Sequence, residues 1–136
     1  MEAGAAEARV GTRFVATLES GAHPLYKQAV VDAGPGSTEI TDAFSVCPLC
    51  ATLPRARVLQ PCIHELEKLP GDEVEETILA GQRITLPRGH GLPPGSAATG
   101  QIHAMAMYAG ESVTGISDIA PVAEIIHSWW PTDASR

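Results

Sequence analysis

Glycine and proline together occupy 24 of the 136 positions, and aromatic side chains make up only 4% of the chain. Proline removes the N–H that continues a helix or a central strand, and glycine loosens both. Elements must therefore be short and separated by many turns, and the core must be assembled from small aliphatic side chains. These are available, since 44% of the residues are hydrophobic, enough for a modest core at the length of one domain. The net charge of −7, with nine Lys and Arg, leaves no clustered positive field for a nucleic-acid partner. No apolar run reaches the roughly 18 to 20 residues that span a bilayer, and the alanine-rich start carries two acids before its first base, unlike a signal peptide. The expected location is cytoplasmic, without a membrane partner, and three cysteines fit a reducing compartment better than a disulfide framework.

Residues 9–16, RVGTRFVA, are rich in β-formers and predict a short strand ending in a turn. A helix follows from Pro24, with Tyr26, Ala29 and Val30 on one face and Gly34 as its stop. Residues 37–46 read as extended. The segment from Cys47 begins as a loop and turns helical near Cys62, with Leu66 and Leu69 on one side and Pro70-Gly71 ending it. ETILAGQRITLP predicts a hairpin around Ala80-Gly81. GHGLPPGSAATG reads as an ordered loop or a lid. Ile102, Met105, Ala109, Val113 and Ile116 recur at helical spacing. Asp118 is placed to cap a last helix whose stripe is Val122, Ile125, Ile126, Trp129 and Trp130.

Two patches resemble the flavin-dependent nitronate monooxygenases, also called 2-nitropropane dioxygenases, and the related FMN-containing enoyl-ACP reductases. The first patch comprises Gly11-Thr12-Arg13-Phe14, Glu19-Ser20, Ala22-His23-Pro24 and Tyr26-Lys27. The second runs from Met107 to Val113, followed by Pro121-Val122-Ala123-Glu124-Ile125-Ile126. The family usually carries Gln where Glu111 stands, so here a carboxylate would bring negative charge near a flavin that becomes anionic on reduction.

The resemblance implies a (β/α)8 barrel in which the GTRF run ends the eighth strand. A barrel needs on the order of 200 to 250 residues, so the expected fold is α+β, the C-terminal fragment of a flavin-binding barrel, with residues 2–9 as the tail of the helix before that strand. The expected layout is one incomplete domain over 1–136. Residues 1–34 hold the last barrel strand and its helix, 35–100 an insertion with the hairpin and the Gly/Pro-rich loop, and 101–130 the C-terminal helices. Gly11 and Thr12 are the implied cofactor-binding residues, one allowing close backbone approach and the other adding a hydroxyl to an FMN phosphate site. The implied reaction is oxidation of an alkyl nitronate by FMN. The family's catalytic histidine falls, by resemblance, in the absent part of the barrel, so none of His23, His64, His90, His103 and His127 is assigned to it. The isolated chain is expected to be colourless and inactive alone, and to form a homo-oligomer or to need a complementing barrel chain, because an unpaired eighth strand leaves its edges open.

The second reading is a small non-catalytic α+β module, self-associating or carrying structural zinc on Cys47, Cys50, Cys62 and His64. Against zinc, Cys62 and His64 are tightly spaced and a helix points them apart. His23 reads as a cap or a flavin-site residue, and His90 as a lid or a turn residue. Tyr108 and Ser112 read as helix packing or ligand contacts, and the tryptophan pair as a terminal helix docked on a core. Neither G-x-S-x-G nor a P-loop is present.

Overall fold

The structure is a computed structural model and describes residues 9–47 and 55–130. It is α+β, with two small sheets and no closed barrel among the described residues. Helix α1 (Gly11–Val15) and helix α2 (Pro24–Val31) precede strands β1 (Thr38–Thr41) and β2 (Ala56–Leu59), which pair antiparallel from Thr38 opposite Leu59 to Thr41 opposite Ala56. Helix α3 (Gln60–Lys68) leads into the hairpin β3 (Glu73–Leu79) and β4 (Gln82–Pro87), against which the short β5 (Thr99–Gly100) adds to β3. Ala80 and Gly81 both take positive φ, 49° and 78°, the geometry that lets a two-residue turn follow strand twist. The hairpin therefore stands where its sequence predicts it.

Residues 11–15 are helical, which corrects the expected strand. Val10, Phe14 and Val15 favour extended backbone, but no described strand lies alongside to pair with them. The segment closes its own hydrogen bonds instead, beginning with the Phe14 N–H on the Val10 carbonyl at 3.3 Å. The open strand edge on which association was expected therefore does not exist at these residues. Pairing begins only beyond α1, in a single parallel bridge between Thr17 and Ala120.

A second correction concerns 102–116. Two short 3-10 turns, Ile102–Ala104 and Glu111–Gly115, flank extended backbone where helical spacing predicts a helix. Met105, Ala106 and Met107 are buried on every side, so their burial carries no periodicity. Their backbone serves as the other neighbour of β2: Leu59 donates to Met107 at 2.8 Å, Ala109 donates to Arg57 at 3.2 Å, and Val58 bridges Tyr108. Strand β2 is thus held from both sides. Around it Val30, Val58, Cys62, Met105 and Val113 form a core of small aliphatic and sulfur-bearing side chains, as the scarcity of aromatics requires.

The Gly/Pro-rich segment 89–98 is a strap, not a free lid. Gly89 has φ +75°, and a Cβ there would lie 2.7 Å from the Ala43 carbonyl oxygen, so only glycine lets the two backbones meet. Val46 donates to Gly89, and Gly91 donates back to Val46, both at 3.0 Å. Farther along, His23 donates to the Pro94 carbonyl at 2.9 Å and Ser96 to the Gly21 carbonyl at 2.8 Å. His90 is buried, and its Nδ1 accepts from the Leu92 N–H at 3.2 Å, the turn role.

Helix α4 (Val122–Trp129) closes the described chain. Its capping group is not Asp118. The carboxylate of Glu19 accepts from the Val122 N–H, at 3.0 and 3.2 Å to its two oxygens, while Asp118 pairs with Arg13. Ile125 is buried and Trp129 meets Phe14 edge to face at 5.8 Å between centroids, but Ile126 and Trp130 are 48% and 71% exposed. Three of the five residues of the expected apolar stripe, Ile126, Trp129 and Trp130, are exposed.

Candidate functional site

Helix α1 begins at Gly11 and leaves its first N–H groups without acceptors inside the helix, as every helix start does. A Cβ added at Gly11 would meet nothing within 4 Å, so the approach to those donors is open. Next to it, Thr12 Oγ1 accepts the Gly110 N–H at 3.0 Å. This one bond joins the two sequence patches across 98 positions and leaves the hydroxyl proton of Thr12 to donate elsewhere.

Gly11, Thr12 and Gly110 form the wall between two clefts. The first, about 660 Å³, opens toward α4 and is bordered by Arg9, Arg13, Ser112, Ser128 and Trp129. The second, about 620 Å³, opens toward the strap and is bordered by Val15, Ala22, Tyr26, Arg57, Pro94 and Tyr108. Both predicted cofactor residues therefore stand together at the lip of each cleft.

The other patch residues serve mainly to position this wall. The Arg13 guanidinium, with its side chain 17% exposed, donates to the Ala16 carbonyl at 3.1 Å and the Asp118 carbonyl at 2.9 Å besides its ion pair. Lys27 Nζ donates to the Thr17 carbonyl at 2.7 Å, and His23 Nδ1 accepts from the Leu25 N–H at 3.1 Å to cap α2. Tyr26 donates its hydroxyl to the Tyr108 carbonyl at 2.6 Å, and Tyr108 donates to the Gly91 carbonyl at 2.7 Å. Burial pushes the Tyr26 phenol well above its ordinary pKa, helped by the nearby Cys62 and Tyr108. Burial, followed by Cys62, raises Tyr108 as well. Both remain neutral phenols at physiological pH. Ser112 borders the first cleft, so of the Tyr108–Ser112 pair each faces a different cleft across a 3-10 turn instead of sharing a helix face.

Glu111 does not stand as a lone charge. Arg57 Nη2 lies 2.9 Å from its Oε1, while Arg57 Nη1 donates to Thr38 Oγ1 at 3.3 Å. The anionic charge that departs from the family pattern is thus balanced by a strand residue 54 positions earlier. Nothing in the spacing of Arg57 marks it, and only pairing of β2 with 107–109 brings it here.

Among the described residues, Cys47, Cys62 and His64 of the expected zinc set are not brought together. Cys62 is buried, its Sγ donates to the Leu59 carbonyl at 2.9 Å, and burial pushes its thiol pKa up to about 11. Cys47 is disulfide-bonded, His64 points to solvent on α3, and Cys50 lies outside the described residues. Among the described residues no three His, Cys, Asp or Glu side chains converge on a common point. A thiolate ligand is disfavoured at Cys62 because its charge would be desolvated.

The model of the nitronate monooxygenase family matches residues 1–131. The chain belongs to the nitronate monooxygenase family. No curated protein and no solved structure matches it. In this nitronate monooxygenase family member the two patches are a single structural unit, since Thr12 touches Gly110, Arg13 touches Asp118 and Glu19 caps α4. Among the described residues, no helix is long and apolar enough to cross a membrane.

Proposed function

We propose that this nitronate monooxygenase family chain forms one flank of an FMN-dependent oxidoreductase, the C-terminal part of a barrel enzyme that oxidises alkyl nitronates. The observation that carries the reading is the Thr12–Gly110 bond, which fixes the open N-terminus of α1 between two clefts of ligand size. The residues fit the cofactor's phosphate: backbone donors at Gly11 and Thr12, a hydroxyl on Thr12, no Cβ at Gly11, and Arg9 and Arg13 nearby. FMN, when bound, accepts the electrons of the substrate. The chain's own residues hold the phosphate end, and the strap with Tyr26 and Tyr108 forms a wall of the neighbouring cleft. The remaining walls of a flavin pocket come from a complementing barrel portion, so the chain alone turns over no nitronate.

The test is a nuclear magnetic resonance titration of the chain with FMN and with riboflavin, which lacks the phosphate. FMN is expected to shift the amides of Gly11, Thr12 and Arg13 at millimolar concentration, with riboflavin leaving them in place and no FMN surviving gel filtration. Equal shifts with riboflavin, or none with FMN, overturn the phosphate assignment. Stoichiometric FMN retained through gel filtration overturns the partial site.

The second reading, a self-associating module without chemistry, draws on the exposure of Leu18, Ile126 and Trp130. Sedimentation separates the two: a dimer that forms without flavin and persists unchanged when FMN is added favours the module.

A further inference from the structure

We propose that the groove between α2 and α3 binds a short aliphatic amine in its ammonium form, with the carbon chain on the groove floor and the charge beside Asp32. The groove has a volume of about 420 Å³ and shares no bordering residue with the clefts beside Gly11 and Thr12. Its floor is apolar: Leu25, Ala29 and Ala33 come from α2 and the turn after it, Leu59 and Cys62 from the junction of β2 with α3, and Met107 from the extended segment. Leu25, Gln28, Ala29, Asp32 and Ala33 follow helical spacing, so one face of α2 forms a whole side of the groove. Leu59, Cys62 and Met107 are buried in the core and hold the opposite side in place. Such a floor selects a carbon chain over a small inorganic ion.

The carboxylates of the rim lack a basic neighbour within the groove. Asp32 and Glu65 border it, with the imidazole of His103, and none of the described residues bordering it is Lys or Arg. Asp32 is the C-cap of α2, where the free carbonyls ending an eight-residue helix add roughly half a negative charge to its carboxylate. The last turn carries no basic residue, and among the described residues no cation pairs with Asp32. An acid at that end of a helix runs against local preference, and a bound cation relieves the repulsion. Gln28 Nε2 donates to Asp32 Oδ1 at 2.8 Å, which steadies the carboxylate and leaves Oδ2 to accept from an ammonium. Glu65 is the weaker anchor, because Lys68 Nζ, outside the groove, already lies 2.7 Å from its Oε1. The net charge of −7 further favours the approach of a cation over that of an anion. An apolar trough ending at a negative helix terminus fits an ammonium on an aliphatic chain. Neither feature depends on flavin binding at Gly11 and Thr12.

Amide shifts of the full chain read the test, with hexylamine as probe and 1-hexanol, hexanoate and methylammonium as controls. Hexylamine is expected to shift Ala29, Asp32 and Met107 saturably. The alcohol should bind about threefold more weakly or worse, and hexanoate and methylammonium should leave these amides unmoved. Asp32→Asn, which keeps an acceptor for Gln28, weakens hexylamine by about three- to fivefold. Ala29→Leu, which lays a larger side chain across the floor, abolishes saturation while the far-ultraviolet circular dichroism stays that of the parent. Should that spectrum change, Asp32→Asn decides alone. No saturable shift with hexylamine, equal affinity for 1-hexanol or hexanoate, or an Asp32→Asn variant that binds as well as the parent would each overturn the proposal. Binding of Nα-acetyl-lysine methylamide as tight as that of hexylamine would assign the groove to a lysine side chain of another protein and overturn the free amine. The FMN titration reads different amides, so failure there is distinguishable from failure here.

Discussion

The patch region and the hairpin arm are held together by different kinds of bond. In the patch region, hydrogen bonds reach across the chain: Tyr26 to Tyr108, Thr12 to Gly110, Glu19 to Val122 and Arg13 to Asp118 span 82 to 105 positions. In the hairpin, β3 and β4 meet through a two-residue turn, and the Arg83–Glu76 pair spans seven positions and is exposed. The patch region therefore depends on the whole fold being present, while the hairpin specifies itself. Charged side chains that look functional in sequence act in the first region as caps and braces for backbone, while Gly11, Thr12 and Gly110 line the two clefts.

The largest break in this contrast is expected at Met105, fully buried where the patch region meets β2. Met105→Ala should lower stability by about 2 to 5 kcal/mol, read as a shift in the urea midpoint. An effect under about 1 kcal/mol would mean that the two regions do not share a core.

Alkaline pH sharpens the same point. The Cys62 thiol, raised by burial from 9.0 to about 11, binds its proton more tightly folded than unfolded. Stability from this group is complete below pH about 9 and is lost as pH rises toward about 11, by up to about 2 to 3 kcal/mol. Thermal unfolding followed between pH 8 and 11 should show the fall, and Cys62→Ala should flatten its first part. The Tyr26 phenol, also raised, adds a loss above pH 10.

Removing the distant cap comes next. Glu19→Ala leaves the Val122 N–H without its acceptor and should cost about 0.5 to 2 kcal/mol, with Glu19→Gln restoring most of it. Loss of helical circular dichroism without a shift of the hairpin amides would place the damage in α4. Arg83→Ala on the hairpin is the smallest, at most about 0.5 kcal/mol, because an exposed pair contributes little. A larger loss there would show that the arm is coupled to the core after all.

Elements governed by neighbours in sequence were legible. The Ala80-Gly81 turn, α2 with Pro24 at its first position and His23 as its cap, and α3 ending before Pro70-Gly71 all follow from turn and cap chemistry that acts over a few residues. The family likeness was equally legible, because it lies in the identity and order of residues such as Gly11-Thr12-Arg13-Phe14. Three features were not. Residues 11–15 turned helical for want of a partner strand, 105–109 became a neighbour to β2 despite helical spacing, and Asp118 lost the cap of α4 to Glu19. Local propensity differs between such alternatives by a fraction of a kcal/mol to about one, and a single well-placed long-range bond outweighs it. Arg57 belongs to the same group: its residue type is common and its spacing unremarkable, and it gains a role only because β2 is pinned between two other chain segments. Short-range chemistry thus settled where the chain turns, and pairing between distant segments settled which side chains face the clefts.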